Sequence, residues 1–261
     1  MHKILDYVDI LSEGEDPIYK AQKCSRLPLI KRFYEKVTIV HEEEGFSILL
    51  DERPIKTPAQ RHCFVPTEAL AGLVAQEFKK QEEVIDPAGM PVLRLVNTVI
   101  DGVVDNMQII FEDILRFVAC DMIFYRAQTP KALLELQHKH WDFLLNWAEE
   151  RLGAHFNIAE GIMHVEQPWE AIQAVSNYLR KVESPYILAG IHTITTLTGS
   201  ALIAFAILEK KIDSNYAWLI ANLDEDWTME QWGKDEEAMK RRAHKKDEFD
   251  AAVAMVAAVH Q

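Results

Sequence analysis

The stretch from Tyr216 to Arg242, YAWLIANLDEDWTMEQWGKDEEAMKRR, decides how the chain is read. It holds three of the six tryptophans, Trp218, Trp227 and Trp232, and two acidic clusters, Asp224-Glu225-Asp226 and Asp235-Glu236-Glu237. Tyr216, Ile220, Leu223 and Trp227 recur at helical spacing and predict one amphipathic helix. Asp213 or Ser214 would cap its start. Gly233 would stop it, because glycine accepts the left-handed conformation. The acids from 235 to 237 would open a second helix, where carboxylates suit the positive end of the dipole. Two meanings are open: a helix pair with a solvated acidic rim, or a surface where aromatic rings and carboxylates meet a partner.

The composition narrows the classes. The chain has 261 residues, half of them apolar, which is enough for one large domain or two modest ones. A net charge of -13 argues against nucleic acid or an anionic membrane as the main partner, since both call for a basic face. Cys24, Cys63 and Cys120 are widely spaced, without a CxxC, and read as free thiols in a reducing compartment. The acidic start, MHKILDYVDILSEGEDP, has neither the apolar run of a signal peptide nor the Arg-rich character of a transit peptide, so a cytoplasmic protein is expected. Ile187 to Leu208 is strongly apolar, but His192, Gly199, Ser200 and several threonines interrupt it. A single buried helix is expected there, with no membrane insertion.

Residues 1–30 are expected to form an arm, 31–104 a β-rich domain and 105–261 a helical bundle. Tyr34 to Val40 and Phe46 to Asp51 flank a turn and predict a hairpin. Pro54 to Pro58 and His62 to Pro66 add short extended pieces, with the prolines favouring edges. Thr67 caps a helix whose stripe is Leu70, Leu73, Val74 and Phe78. Asp86 to Gly89 breaks the chain, and Pro91 opens a further helix. Beyond Asp105 the periodicity is helical, with Thr129-Pro130, Pro168 and Ser184-Pro185 as starts and Gly153 as a stop. The order of elements is that of an α+β protein: a small β-rich N-terminal domain, then a larger helical bundle.

Chemistry has little support. GxGxxG, GxxxxGK[ST], HExxH and GxSxG are all missing. His138 and Asp142, four residues apart, could make a two-ligand face, but a metal needs more converging groups. His192 reads as a core histidine bonded to a neighbouring carbonyl or hydroxyl, and Cys120 as a packed thiol with no basic group to activate it. No catalytic residue, metal or cofactor is expected. What remains is a surface on which rings supply area and carboxylates supply orientation.

Four segments together resemble a known family. They are Lys31-Arg32-Phe33-Tyr34, Leu50-Asp51-Glu52-Arg53-Pro54-Ile55-Lys56-Thr57-Pro58, Cys120-Asp121-Met122-Ile123-Phe124-Tyr125-Arg126, and Leu223 to Trp227 continuing through Gln231-Trp232-Gly233. In order and spacing they cover about residues 31–245. The chain resembles the assembly chaperones that hold the α subunit of the catalytic head of F-type ATP synthase in mitochondria and α-proteobacteria.

That resemblance implies a non-enzymatic protein, with a β-rich N-terminal domain and a larger orthogonal helical bundle, that binds the unassembled α subunit and shields its exposed apolar interface from aggregation; a monomer is expected. It implies a cytoplasmic location for a bacterial member and the mitochondrial matrix for eukaryotic relatives. Asp224, Glu225, Asp226, Trp232 and Gly233 are the expected contacts, with Phe78 standing where relatives often carry Trp. The family's acidic position ahead of the cluster falls near Ser214-Asn215-Tyr216, where no carboxylate stands; Asp213 is the candidate replacement. The competing expectation is a metal-dependent hydrolase built on carboxylates and histidines of the bundle.

Overall fold

The computed structural model describes residues 29–43, 45–161 and 163–260. The expected arm at 1–30 and Cys24 fall almost wholly outside them. The chain divides into two compact units, residues 1–101 and 102–261.

The first unit is built on strands β1 (Ile30–Lys31), β2 (Val37–Glu42), β3 (Gly45–Leu50), β4 (Arg53–Pro54), β5 (Phe64–Val65) and β6 (Val84–Ile85), with helices α1 (Glu68–Lys80) and α2 (Pro91–Thr98). β2 and β3 form the predicted antiparallel hairpin, in register from Val37↔Leu50 to Glu42↔Gly45. The other edge of β3 is shared by two short strands. β4 pairs at Leu49–Leu50 and β5 at Phe46–Ser47, both antiparallel. Pro54 therefore sits on an edge strand, where a missing N–H costs no ladder bond. α1 begins as predicted: Thr67 accepts from the Leu70 N–H, and the helix lays Leu70, Val74 and Phe78 against the sheet.

Two of the quoted segments meet in this unit. Asp51, at φ 46°, accepts from the Lys36 N–H at 2.8 Å and the Glu35 N–H at 3.1 Å. Arg32 donates to the carbonyls of Tyr34 (3.0 Å) and Gln81 (2.6 Å), and the Tyr34 hydroxyl donates to the Phe78 carbonyl at 2.8 Å. These residues tie the strand entry to the end of α1. Sequence reading missed Glu77. It is buried, and its carboxylate takes the first N–H groups of α2, from Val92 and Leu93, at 2.8 Å each.

The second unit contains α3 (Met107–Ala119), β7 (Tyr125–Arg126), α4 (Lys131–Leu152), β8 (Ala159–Glu160), α5 (Trp169–Leu179), α6 (Pro185–Thr198), α7 (Ala201–Leu208), α8 (Ser214–Ala221), α9 (Leu223–Trp232) and α10 (Glu236–Val259). α6 packs against α3, α7 and α10, and α7 is buried along its whole length. Burying Leu202, Ile203 and Phe205 contributes roughly 1.5–3 kcal/mol each.

Several expectations are corrected here. The single helix expected through Ile187–Leu208 is two. Gly199 turns the chain at φ 74°, and Ser200 caps α7 by accepting from the Ile203 N–H. None of the helices is long and apolar enough to cross a membrane, among the described residues. Thr129 is not a cap; Pro130 occupies that place, without a side-chain hydrogen bond. Cys120 is exposed rather than packed, because α3 ends at Ala119 and leaves it on the outside of the turn. His192 pairs with a carboxylate in place of the expected carbonyl or hydroxyl: its Nε2 lies 2.8 Å from Asp113 Oδ2 on α3.

Candidate functional site

The corner formed by α8, α9 and α10 is where the candidate residues gather. Asp213 caps α8 by accepting from the Tyr216 N–H at 2.9 Å, so this carboxylate has a local structural task. The stripe from Tyr216 to Trp227 does not form one continuous helix. Asn222 Nδ2 donates to the Trp218 carbonyl at 2.8 Å, and that competing bond ends α8 before α9 begins. Ile220 and Leu223 remain buried on either side of the break. α9 stops at Gly233, which takes φ 92°, a value that favours glycine. Asp235 then caps α10 by accepting from the Glu237 N–H at 3.0 Å.

The first acidic cluster is not uniformly free. Asp224 Oδ1 accepts from Gln137 Nε2 of α4 at 2.8 Å. Asp226 takes both arms of Arg242 from α10, and this pairing raises the pKa of Arg242. Glu225 faces solvent. The second cluster is exposed, with Glu237 bonded to Arg241 at 2.6 Å within α10. Trp232, the last residue of α9, is 87 % exposed, more than any other large hydrophobic side chain among the described residues. A groove of about 460 Å³ lies between α9 and α10, lined by Met229 and Ala238, by the carboxylates of Asp224 and Glu225, and by the cations Arg241, Arg242 and Lys245.

Phe78 lies elsewhere. It belongs to the first unit, is only 6 % exposed and packs edge-on against Tyr34 at 5.8 Å. Its ring faces the core of that unit, so it does not offer the exposed aromatic contact expected of it.

Below the corner lies a polar network that sequence reading only half saw. Arg126, with its side chain fully enclosed, donates to Asp142 Oδ1 at 2.8 Å. The second oxygen of that carboxylate meets His138 Nδ1 at 2.8 Å. His138 and Asp142 do meet on one helix face, but the third member is the Arg126 cation, where a metal site would place another ligand. No group of three or more His, Cys, Asp or Glu side chains could hold a metal ion among the described residues. Gln137 links the layers: its Oε1 accepts from the Ala127 N–H and its Nε2 donates to Asp224, both at 2.8 Å. The Arg126 guanidinium stacks over Trp141, whose Nε1 donates to the Ile220 carbonyl. Burial lowers the Arg126 pKa, opposed by the charges of Asp142 and Asp224.

The third quoted segment is equally architectural. Asp121 is fully buried and accepts from the Ile123 and Leu202 N–H groups, at 3.2 and 3.1 Å, so that it anchors the start of α7. Burial pushes its pKa up to about 6 against those bonds. The resembling segments thus divide by role. Arg32, Tyr34, Asp51, Asp121, Arg126 and Asp224 hold the fold, while Trp232 and Glu225 face outward.

Comparison with known proteins finds relatives over most of the chain. Residues 31–149 match the family described as ATP12 chaperone protein. The crystal structure of the Atu1473 protein from Agrobacterium tumefaciens is similar at TM-score 0.87 and 46 % identity, covering 99 % of this chain and 97 % of that one. The crystal structure of Atp12 from Paracoccus denitrificans is similar at TM-score 0.83 and 32 % identity, covering 89 % of this chain and 99 % of that one. Protein atp12, mitochondrial, of Schizosaccharomyces pombe is 26 % identical over 84 % of this chain and 79 % of its own length. The chain belongs to the ATP12 chaperone family, whose α+β architecture it shares.

Proposed function

We propose that this chaperone serves F-type ATP synthase assembly by gripping the free α subunit, with the α9–α10 corner as its contact surface. The observation that carries the reading is Trp232: a large aromatic ring left 87 % exposed at the end of α9, the helix that also carries Met229 and the exposed carboxylate of Glu225. An exposed indole next to adaptable methionine is what a client-binding surface requires. Glu225 and the exposed acids at 235–237 would steer a basic partner into register. Asp224 and Asp226 contribute through position, because their inward bonds fix the angle of α9 against α4 and α10. Gly233 sets the turn that presents the ring. Covering the apolar interface of α before it meets its neighbours would suppress aggregation without any bond being made or broken.

Affinity-tagged protein purified from cells should carry unassembled α subunit and not the assembled head. Capture of assembled head in equal amount, or of no α at all, contradicts the reading.

A further inference from the structure

The segment leading into α5 holds a second surface of the kind a client would meet. Met163 is 75 % exposed, Trp169 68 % and Ile158 45 %. Single exposed apolar residues are ordinary. Three bulky ones within so short a span, one of them tryptophan, are not.

Their backbone is pinned on both sides. The Asn157 N–H donates to Gln167 Oε1 at 2.8 Å, and Gln167 Nε2 donates back to the Asn157 carbonyl at 3.0 Å, with the Gln167 side chain buried between. Asn157 Nδ2 adds a bond to the Glu166 carbonyl at 3.1 Å. β8 pairs in parallel with β7, and the Gly161 N–H extends that pairing to the Arg126 carbonyl at 2.7 Å. Phe156 stacks on Phe124 at 4.7 Å and roots the segment in the core. These bonds fix the chain at 156–161 and at 166–167, so the flanks of the segment lose little further freedom when a partner docks.

Along the sequence, the charge of this segment has one sign. Between Gly153 and Leu179 the chain has no Lys or Arg, while Glu160, Glu166 and Glu170 are all exposed there. We propose that Ile158, Met163 and Trp169, rimmed by these three carboxylates, form a second docking surface for the client polypeptide, fitting an apolar segment of the α subunit flanked by lysine or arginine. This inference rests on the chaperone reading. It adds a contact, in a different part of the second unit's sequence, to the one at Trp232.

The test measures binding of purified, unassembled α subunit to the full-length protein, with the unfolding midpoint recorded for each variant. Trp169→Ala with Met163→Ser should weaken binding roughly tenfold or more, the scale of a hot-spot loss. Both residues are exposed, so the midpoint should stay where it is. Glu160→Lys with Glu166→Lys should slow association and reverse its response to added salt. Wild-type binding that neither pair of changes alters overturns this inference and leaves the chaperone reading standing. A wild-type protein that does not bind α overturns both. Sedimentation that reveals a dimer abolished by Trp169→Ala assigns the patch to a second copy of the chain, and also overturns it.

Discussion

The guanidinium of Arg126 is sealed inside the second unit, yet its partner Asp142, 2.8 Å away, keeps 43 % of its side-chain surface in solvent. The two ends of this ion pair are therefore unequal. Asp142→Ala strands a buried cation and should cost about 3 kcal/mol or more. Arg126→Met replaces the cation with a flexible apolar chain and strands only a carboxylate that water can reach. It also removes two buried N–H groups, on Nε and Nη1, that have no protein partner. Urea unfolding should show the larger loss for Asp142→Ala, by more than 1 kcal/mol. Equal losses, or the reverse order, would contradict the asymmetry.

Asp121 makes stability depend on pH in a direction unusual for a carboxylate. Burial raises its pKa from 3.8 to about 6, although the amides of Ile123 and Leu202 and the Ser200 hydroxyl favour the charged form. The folded protein thus holds a proton that the unfolded chain has lost. This contribution is fully present below 3.8 and disappears as pH rises through about 6. Between pH 5 and pH 7 wild type should lose about 1–2 kcal/mol relative to Asp121→Asn, which has no such titration. Chemical denaturation at pH 5, 6 and 7 measures the difference. A flat difference, or wild type gaining on the variant as pH rises, would show that the bonds outweigh burial.

At Gly190, α6 packs tightly against α10. A β-carbon built there would lie 2.3 Å from Val256 Cγ2, which is too near for any relaxed contact. Val256 is β-branched and held in a helix, so it yields little. Gly190→Ala should destabilise by about 1–3 kcal/mol despite its better helix propensity. Combined with Val256→Ala the loss should be smaller than the sum of the two single losses. Strict additivity in thermal and urea melts would mean that the helices simply move apart.

Much of this architecture is legible from local signals. Thr67, Ser184 and Asp235 read as helix starts and prove to be caps, and Gly153 and Gly233 read as stops and end α4 and α9. The hairpin follows from β-formers flanking a turn. Misreadings came where one signal hid another. Continuous hydrophobicity masked the Gly199-Ser200 stop and start between α6 and α7. The regular stripe from Tyr216 to Trp227 masked Asn222, whose side chain cuts the helix.

The site was legible in position but not in what its side chains bond or pack against. Acidic residues look alike in sequence, yet Asp224 and Asp226 bond partners on α4 and α10, while Glu225 faces solvent. No local pattern announces Gln137 or Arg242 as those partners, because they lie 87 and 16 residues away. Phe78 was misplaced for a similar reason: an aromatic on an amphipathic stripe gives no sign of whether Tyr34 covers it. The surface at Ile158, Met163 and Trp169 carried no periodic signal at all, since side chains between elements and at a helix start are placed by tertiary bonds such as that of Gln167 to Asn157.

The most direct trial of the central idea is the affinity of purified, unassembled α subunit for wild-type protein and for Trp232→Ala combined with Glu225→Lys. Both residues are exposed, and neither change disturbs the inward bonds of Asp224 and Asp226. The account predicts binding roughly tenfold or more weaker with an unchanged unfolding midpoint. Equal affinity for the two proteins would remove the corner from the contact surface, and failure of the wild type to bind α would remove the function.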